Sequence, residues 1–170
     1  MKLTYERAHE LLTYDPDTGL LRWKVDRWAL GDRGHQCCKK GEIAGAMSHG
    51  YWRVKIDKTP NLAHRVIWLM TYGRYPAEFI DHANGIRSDN RLSNLREATR
   101  AQNSWNQGKT PLNTSGHKGI VWHKRECKWH AVIKIHQKAT HLGSFASKED
   151  AAAAYAEAAA RLHGEFARLE

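Results

Sequence analysis

Asp81 and His82 stand side by side near the middle of the chain, Asn94 follows twelve residues after the histidine, and Asn103 nine residues after that. Phe79-Ile80 ahead of the pair is a short apolar run, and Asn84-Gly85 behind it is a turn signal, so the pair is expected on a short strand running into a tight turn. Asn94 falls in the return segment Ser93-Asn94-Leu95-Arg96, expected as the second strand. Asn103 follows Thr99-Arg100-Ala101-Gln102, in which Thr99 and Gln102 have the spacing of a helix-capping box. Strand, strand and helix start would bring an acid, an imidazole and two amides together. Asp81 and Asn103 offer oxygen donors to a hard divalent cation, and His82 titrates near neutrality and can take a proton from water. Hydrolysis of a phosphodiester needs those parts. A lone Asp-His pair says little, but four such residues in register are hard to assemble by accident.

The elements around this group are legible from periodicity. Leu3 to Leu12 reads as a short helix, Tyr14-Asp15-Pro16-Asp17-Thr18-Gly19 as a turn, and Leu20 to Val25 as a strand. Asp26 to Lys40 is polar and glycine-dotted and reads as a surface loop. Tyr51 to Ile56 alternates, with Trp52, Val54 and Ile56 on one face. Lys58-Thr59-Pro60-Asn61 reads as a turn, and Ala63 to Tyr72 as a helix with an apolar middle, ended by Gly73. Residues 108–112 lie in a stretch of glycine, proline and small polar residues without periodicity and are expected to be a linker. Beyond it, Gly119–His123, Trp129–Ile135 and Thr140–Phe145 read as strands. Ser147 should cap an alanine-rich helix from Lys148 to about Leu162, with Gly164 as its stop.

Composition narrows the partner. The chain of 170 residues carries a formal charge of +9 with eleven histidines in reserve, which favours a polyanion, nucleic acid being the commonest. The excess is concentrated: Lys109 to Phe145 holds seven Lys or Arg against one acid, Glu126. The three cysteines, Cys37, Cys38 and Cys127, form no Cys-x-x-Cys and predict a reducing compartment without a disulfide framework or a cysteine zinc site. The histidines between 117 and 141 alternate along strands and lack helical metal spacing. No apolar run approaches membrane-spanning length and no signal peptide is evident, so a cytoplasmic protein is expected. There is no Gly-x-Ser-x-Gly elbow and no phosphate-loop lysine, which argues against serine hydrolase and nucleotide-triphosphatase chemistry.

Leu62 to Asn106, through Ala63-His64-Arg65, Ile80–Gly85, Asp89–Arg96 and Asn103, resembles the HNH nuclease family, a ββα-metal finger, and is especially similar to its phage and intron-encoded homing branch. The resemblance implies that Asp81 and Asn103 hold one divalent ion, Mg²⁺ or Mn²⁺, that His82 is the general base, and that Asn94 orients its ring. It further implies cleavage or nicking of double-stranded DNA to 5′-phosphate products, in the host bacterial cell if a phage or mobile element encodes the chain. The motif departs from its literal form in having Asn103 where the last histidine would stand, which implies a weaker hold on the metal. His64 reads as a packed or capping histidine, Asp89 as a turn cap, and Asn84 and Asn90 as turn residues. Arg65, Arg87, Arg91 and Arg96 are candidate phosphate clamps, of which one or two are expected to serve.

Asn113 to about Ala167 resembles the Apetala/ethylene-response-factor DNA-binding domain, through Gly119-Ile120, Lys128–Ala131, Leu142–Phe145, Ala151–Tyr155 and Gly164-Glu165. A comparable domain is typical of mobile phage HNH endonucleases. Alternation turns Trp122, Trp129, Ala131, Ile133 and Leu142 toward the helix. It leaves Lys118, Val121, His123, His130, Val132, Lys134 and His141 on the open face, with Lys124, Arg125 and Lys138 in turns beside it. The plant family carries more arginine on this face, so phosphate contact and modest sequence preference are expected here. The expected DNA-contacting residues are thus Lys118, His123, Lys124, Arg125, Lys134, Lys138, His141, Arg87 and Arg96. Trp28 and Trp105 could stack on bases.

The expected fold class is α+β. Residues 1–107 form a nuclease domain with its motif core at 62–106, 108–112 a linker, and 113–170 a small three-stranded antiparallel sheet packed on one helix. The expected assembly is a monomer or weak dimer. A non-catalytic, sequence-specific DNA-binding regulator is the alternative, and a basic structural protein of a nucleoprotein particle the third reading.

Overall fold

The computed structural model describes residues 2–28, 36–135 and 138–169. It divides into two compact units, Met1–Glu97 and Ala98–Glu170.

In the first unit, Thr4 caps α1 (Tyr5–Leu11) by accepting from the Arg7 N–H. Leu12, expected in that helix, instead opens β1 (Leu12–Asp15), which pairs with β2 (Leu20–Trp23). Part of the expected Asp26–Lys40 loop lies outside the described residues. Its described ends form two short paired strands, β3 (Arg27–Trp28) and β4 (Gln36–Cys38). A three-stranded antiparallel sheet follows, β5 (Ala46–Ser48), β6 (Tyr51–Ile56) and β7 (Thr59–Leu62), with β6 central. The alternation expected for β6 holds, with Val54 and Ile56 buried and Trp52 packed against the same core.

The expected turn at Lys58–Asn61 is displaced. Asp57 and Lys58 turn the chain at φ of 45° and 65°, and Thr59-Pro60-Asn61 belongs to β7. Pro60 is tolerated because β7 is an edge strand and needs no N–H on its outer side. The strand runs directly into α2 (Ala63–Tyr72), closed by Gly73 in the left-handed conformation. Val66, Ile67, Trp68 and Met70 of α2 join Leu12, Leu21, Val54 and Ile56 in the main core. β8 (Phe79–His82) pairs with β9 (Leu95–Ala98), and each anchors to that core through one residue, Ile80 and Leu95.

In the second unit, α3 (Arg100–Trp105) begins with the capping box formed in both directions, Thr99 to the Gln102 N–H and Gln102 back to the Thr99 N–H. β10 (Ile120–His123), β11 (Lys128–Ile135) and β12 (Lys138–Phe145) form an antiparallel sheet in that order. α4 (Lys148–His163), capped by Ser147, covers one face. Ile120, Ala131 and Ile133 pack against Ala151, Tyr155, Ala158 and Ala159, whose small side chains let the helix lie close. Gly119 has no room for a side chain: at φ +73° a Cβ would come within 2.2 Å of the Tyr155 ring. Trp122, expected under the helix, is 42% exposed, and Ile120 takes the core position of β10. Ile120 and Trp122 are two residues apart and share a face, and Trp122 packs edge-on to Trp129 at 5.0 Å, beside the core.

Candidate active site

Asp81 and His82 close β8, both buried, at 4% and 5% exposure. A carboxylate taken from water needs a partner, and the Arg96 guanidinium on β9 supplies one: its Nε and a terminal nitrogen each lie 2.9 Å from Asp81 Oδ2. Arg96 was expected at a phosphate; the fold turns it inward to the carboxylate.

His82 Nε2 lies 3.1 Å from Asn90 Oδ1. Burial pushes the imidazole below its ordinary value, against the opposing pull of that hydrogen bond and of the Asp81 charge. The ring is therefore neutral at physiological pH. His64, from the start of α2, stands edge-on to His82 with ring centroids 5.1 Å apart, and Tyr51 of β6 tilts against both. Burial drives His64 down to about 3, as expected of a packed histidine. Arg87 lies over the Tyr51 ring at 5.1 Å and is exposed.

Asn94 closes a single 3₁₀ turn, Leu92–Asn94, and does not stand on the expected strand. Its Oδ1 accepts from the Asn84 N–H at 2.9 Å and its Nδ2 donates to Asp89 O at 2.8 Å. It thus clamps the two sides of the loop joining β8 and β9. The imidazole bond runs to Asn90, a residue whose type and place read as a turn former. Asn90 is 1% exposed, with its Nδ2 buried and without a hydrogen-bond partner. Asn84 and Asp89 do behave as turn residues: Asn84 Oδ1 accepts from the Ile86 N–H, and Asp89 binds Asn84 Nδ2 and Arg91. The Arg91 bond holds the Asp89 carboxyl down at about 2.

A residue that no local signal marks supports this loop. Tyr14 of β1 donates its hydroxyl to Asn90 O at 3.2 Å and accepts from the Leu92 N–H at 3.0 Å. The turn after β1 presses on the same segment. A Cβ on Gly19 would come within 2.6 Å of the Arg91 nitrogen.

Asn103 sits in α3, within the second unit, its N–H bonded to Thr99 O. The other expected DNA contacts divide. Lys124, Arg125, Lys134, Lys138 and His141 are exposed and His123 half-buried. Lys118 turns inward: its ammonium donates to the carbonyls of Trp105, the last residue of α3, and of Gln107 just past it, and burial lowers its pKa. Trp105 stacks flat on His163 at 4.3 Å and is taken up in packing, whereas Trp28 is 62% exposed. None of the three cysteines is in a disulfide, and no helix among the described residues is long and apolar enough to cross a membrane.

Asp81 is a buried carboxylate, an oxygen donor of the kind a hard divalent ion takes. Comparison with known proteins agrees with this chemistry. Residues 61–105 match the family model described as HNH endonuclease, a span that includes Asp81, His82, Asn94 and Asn103 and leaves the second sheet outside. Over 107 residues the chain is 35% identical to Protein 3.8 of Escherichia phage T7, covering 62% of this chain and 88% of that protein. No solved structure matches. The chain belongs to the same family as phage T7 Protein 3.8, and its residues 61–105 are an HNH endonuclease domain.

Proposed function

We propose that the chain is a metal-dependent DNA endonuclease that nicks or cleaves the duplex, with residues 113–170 as a DNA-contacting module of Apetala/ethylene-response-factor type. The observation that carries the reading is the buried imidazole of His82, held by Asn90 beside the buried carboxylate of Asp81. A neutral histidine held in one orientation is what a general base requires. A divalent ion held by Asp81 and Asn103, Mg²⁺ or Mn²⁺, would supply charge stabilisation at the phosphate and the leaving oxygen.

His82 takes the proton of a water. That water's oxygen bonds to phosphorus, the bond from phosphorus to the 3′ oxygen breaks, and the 3′ oxygen takes a proton from solvent water, leaving a 5′ phosphate and a 3′ hydroxyl. With Nε2–H committed to Asn90, Nδ1 is the nitrogen that accepts. Asn94 acts as a positioning residue through the loop it clamps, and Asn90 directly on the ring. The exposed Lys124, Arg125, Lys134 and Lys138, with Arg87, contact phosphates. The proposed division keeps residues 1–107 as the nuclease domain and 108–112 as its linker. The protein works as a monomer or weak dimer in the host cytoplasm, and one such site per chain makes a nick the elementary event.

The Asp81–Arg96 ion pair favours a second reading, a DNA-binding regulator in which the nuclease half is a scaffold, because the carboxylate already has a cation. Supercoiled plasmid incubated with wild type and His82→Ala, in Mg²⁺, Mn²⁺ or EDTA, separates the two. Relaxation by wild type alone, abolished by EDTA, supports the nuclease. An intact gel shift with no relaxation of plasmid bearing the native target supports the regulator.

A further inference from the structure

The open face of the second sheet brings together donors that are scattered in the sequence. His123 ends β10 and His130 lies on β11, and the register pairs Val121 with His130 and His123 with Lys128. The two histidines therefore share one face, a diagonal step apart, with rings stacked at 4.4 Å and 6°. The intervening turn, in which Cys127 takes φ of 49°, folds Glu126 back over them. Glu126 Oε2 lies 2.8 Å from His130 Nε2, and Oε1 lies 3.4 Å from His123 Nδ1. One donor atom from each of the three side chains lies within 4.8 Å of the other two. On β12, His141 places its ring 4.8 Å from that of His130.

The separations suit one ion. Bonds of about 2.0–2.2 Å at tetrahedral angles set ligand atoms roughly 3.4 Å apart; the Glu126–His123 separation of 3.4 Å meets that value and the Glu126–His130 separation of 2.8 Å is shorter, so the carboxylate would draw back slightly from His130. The Glu126 N–H donates to His123 Nδ1 at 3.3 Å, so that nitrogen carries a lone pair and no proton, and an ion would take the place of this long hydrogen bond. Two imidazole nitrogens and one carboxylate form a nitrogen-rich set. Such a set favours Zn²⁺ and its neighbours over Mg²⁺ or Ca²⁺, which seek oxygen alone. Access is open, with the His130 side chain 17% exposed and the other two more so.

We propose that His123, Glu126 and His130 form a binding site for a borderline transition-metal cation, Zn²⁺ foremost, with His141 or a water completing the coordination. The ion would staple the β10–β11 turn to its strands. It would also replace a carboxylate's negative charge with net positive charge between Lys124, Arg125 and Lys128. The site lies wholly in the second unit and differs in donor chemistry from the oxygen ligands proposed for the nuclease, so it stands or falls independently of cleavage.

The test is Zn²⁺ titration of the full chain, stripped of metal and held in excess Mg²⁺ to mask oxygen-donor sites, read by calorimetry and by Co²⁺ visible absorption. Wild type should bind one Zn²⁺ that Mg²⁺ does not displace, give tetrahedral Co²⁺ bands and melt higher when loaded. His123→Ala/His130→Ala should weaken binding by more than the roughly 10–100-fold that loss of a supporting partner costs, and should abolish the bands. Glu126→Gln and His123→Asn, at an exposed and a half-buried position, carry the test if the double variant does not fold. Zn²⁺ uptake unchanged in these variants, or no Mg²⁺-resistant uptake by wild type, overturns the site.

Discussion

Asn90→Ala and Asn90→Asp separate an imidazole that is held from one that is merely buried. His82 Nε2 and Asn90 Oδ1 lie 3.1 Å apart, with the residues 5% and 1% exposed. Truncation to Ala removes the acceptor and leaves a buried N–H unpaired, which costs about 1–3 kcal/mol of stability. A general base contributes about 10²–10⁴-fold to rate, and loss of its support roughly 10–100-fold. Asn90→Ala should therefore cut between wild type and His82→Ala. Aspartate keeps the acceptor and adds a charge, which raises the histidine on the order of 1–3 pH units. The base works when neutral, so activity is lost as pH falls through its pKa. Burial holds that pKa below the ordinary value in wild type, which therefore stays active into mildly acidic solution. Asn90→Asp should move the acid limb to higher pH. Initial nicking rates of a supercoiled plasmid at saturating Mg²⁺ across the acid and neutral range measure both effects. An acid limb for Asn90→Asp that coincides with wild type, or full activity in Asn90→Ala, refutes the argument.

Tyr14→Phe deletes the hydroxyl that bridges Asn90 O and the Leu92 N–H; thermal melting should show a loss of about 1–2 kcal/mol, with nicking reduced through the loop. Arg96→Ala leaves the buried Asp81 carboxylate without its cation, a loss toward the low end of about 3–5 kcal/mol given the partial exposure of Arg96. Melts in EDTA should show that deficit and Mg²⁺ should recover part of it, since a ligand of the folded state stabilises it. Lys118→Gln should lower stability and leave the salt dependence of DNA binding unchanged, whereas Lys124→Gln should reduce the slope of log K against log salt by about one. His64 is held neutral down to about 3, so the unfolded chain binds a proton that the folded chain refuses. Its contribution is complete above the ordinary histidine pKa and falls by about 1.4 kcal/mol per pH unit below it. Denaturant melts of His64→Phe should lose that slope.

Much of the scaffold is legible because its signals are local. α2 spans Ala63–Tyr72 as its apolar middle and Gly73 predict, and the capping box at Thr99 and Gln102 forms as spaced. Misreadings arise where tertiary context overrides a residue's habit. Pro60 and Asn61 look like a turn, yet the edge position of β7 accepts proline, and the turn falls on Asp57-Lys58, which carry no glycine to announce it. Leu12 continues a helical pattern, but pairing with Trp23 draws it into β1. The histidines of the second sheet lack any linear metal spacing, and only strand register brings His123, Glu126 and His130 together.

The site divides along the same line. Its chemistry follows from residue types, and Asp81 and His82 are buried side by side at the end of a strand as their spacing suggests. What holds them does not follow. Asn84, Asn90 and Asn94 are the same residue within one short loop, yet the first makes a turn, the third clamps the loop ends, and the second reaches the imidazole. The backbone path decides which amide faces inward. That path is set from the far end of the first unit, by the Tyr14 hydroxyl on Asn90 O and by Gly19, whose missing side chain lets the first hairpin rest on Arg91. A side chain at position 19 would displace the segment bearing Asn90, and with it the orientation of the His82 ring. The residues proposed to react are written in one stretch of sequence, and the support for their orientation is written some seventy residues earlier.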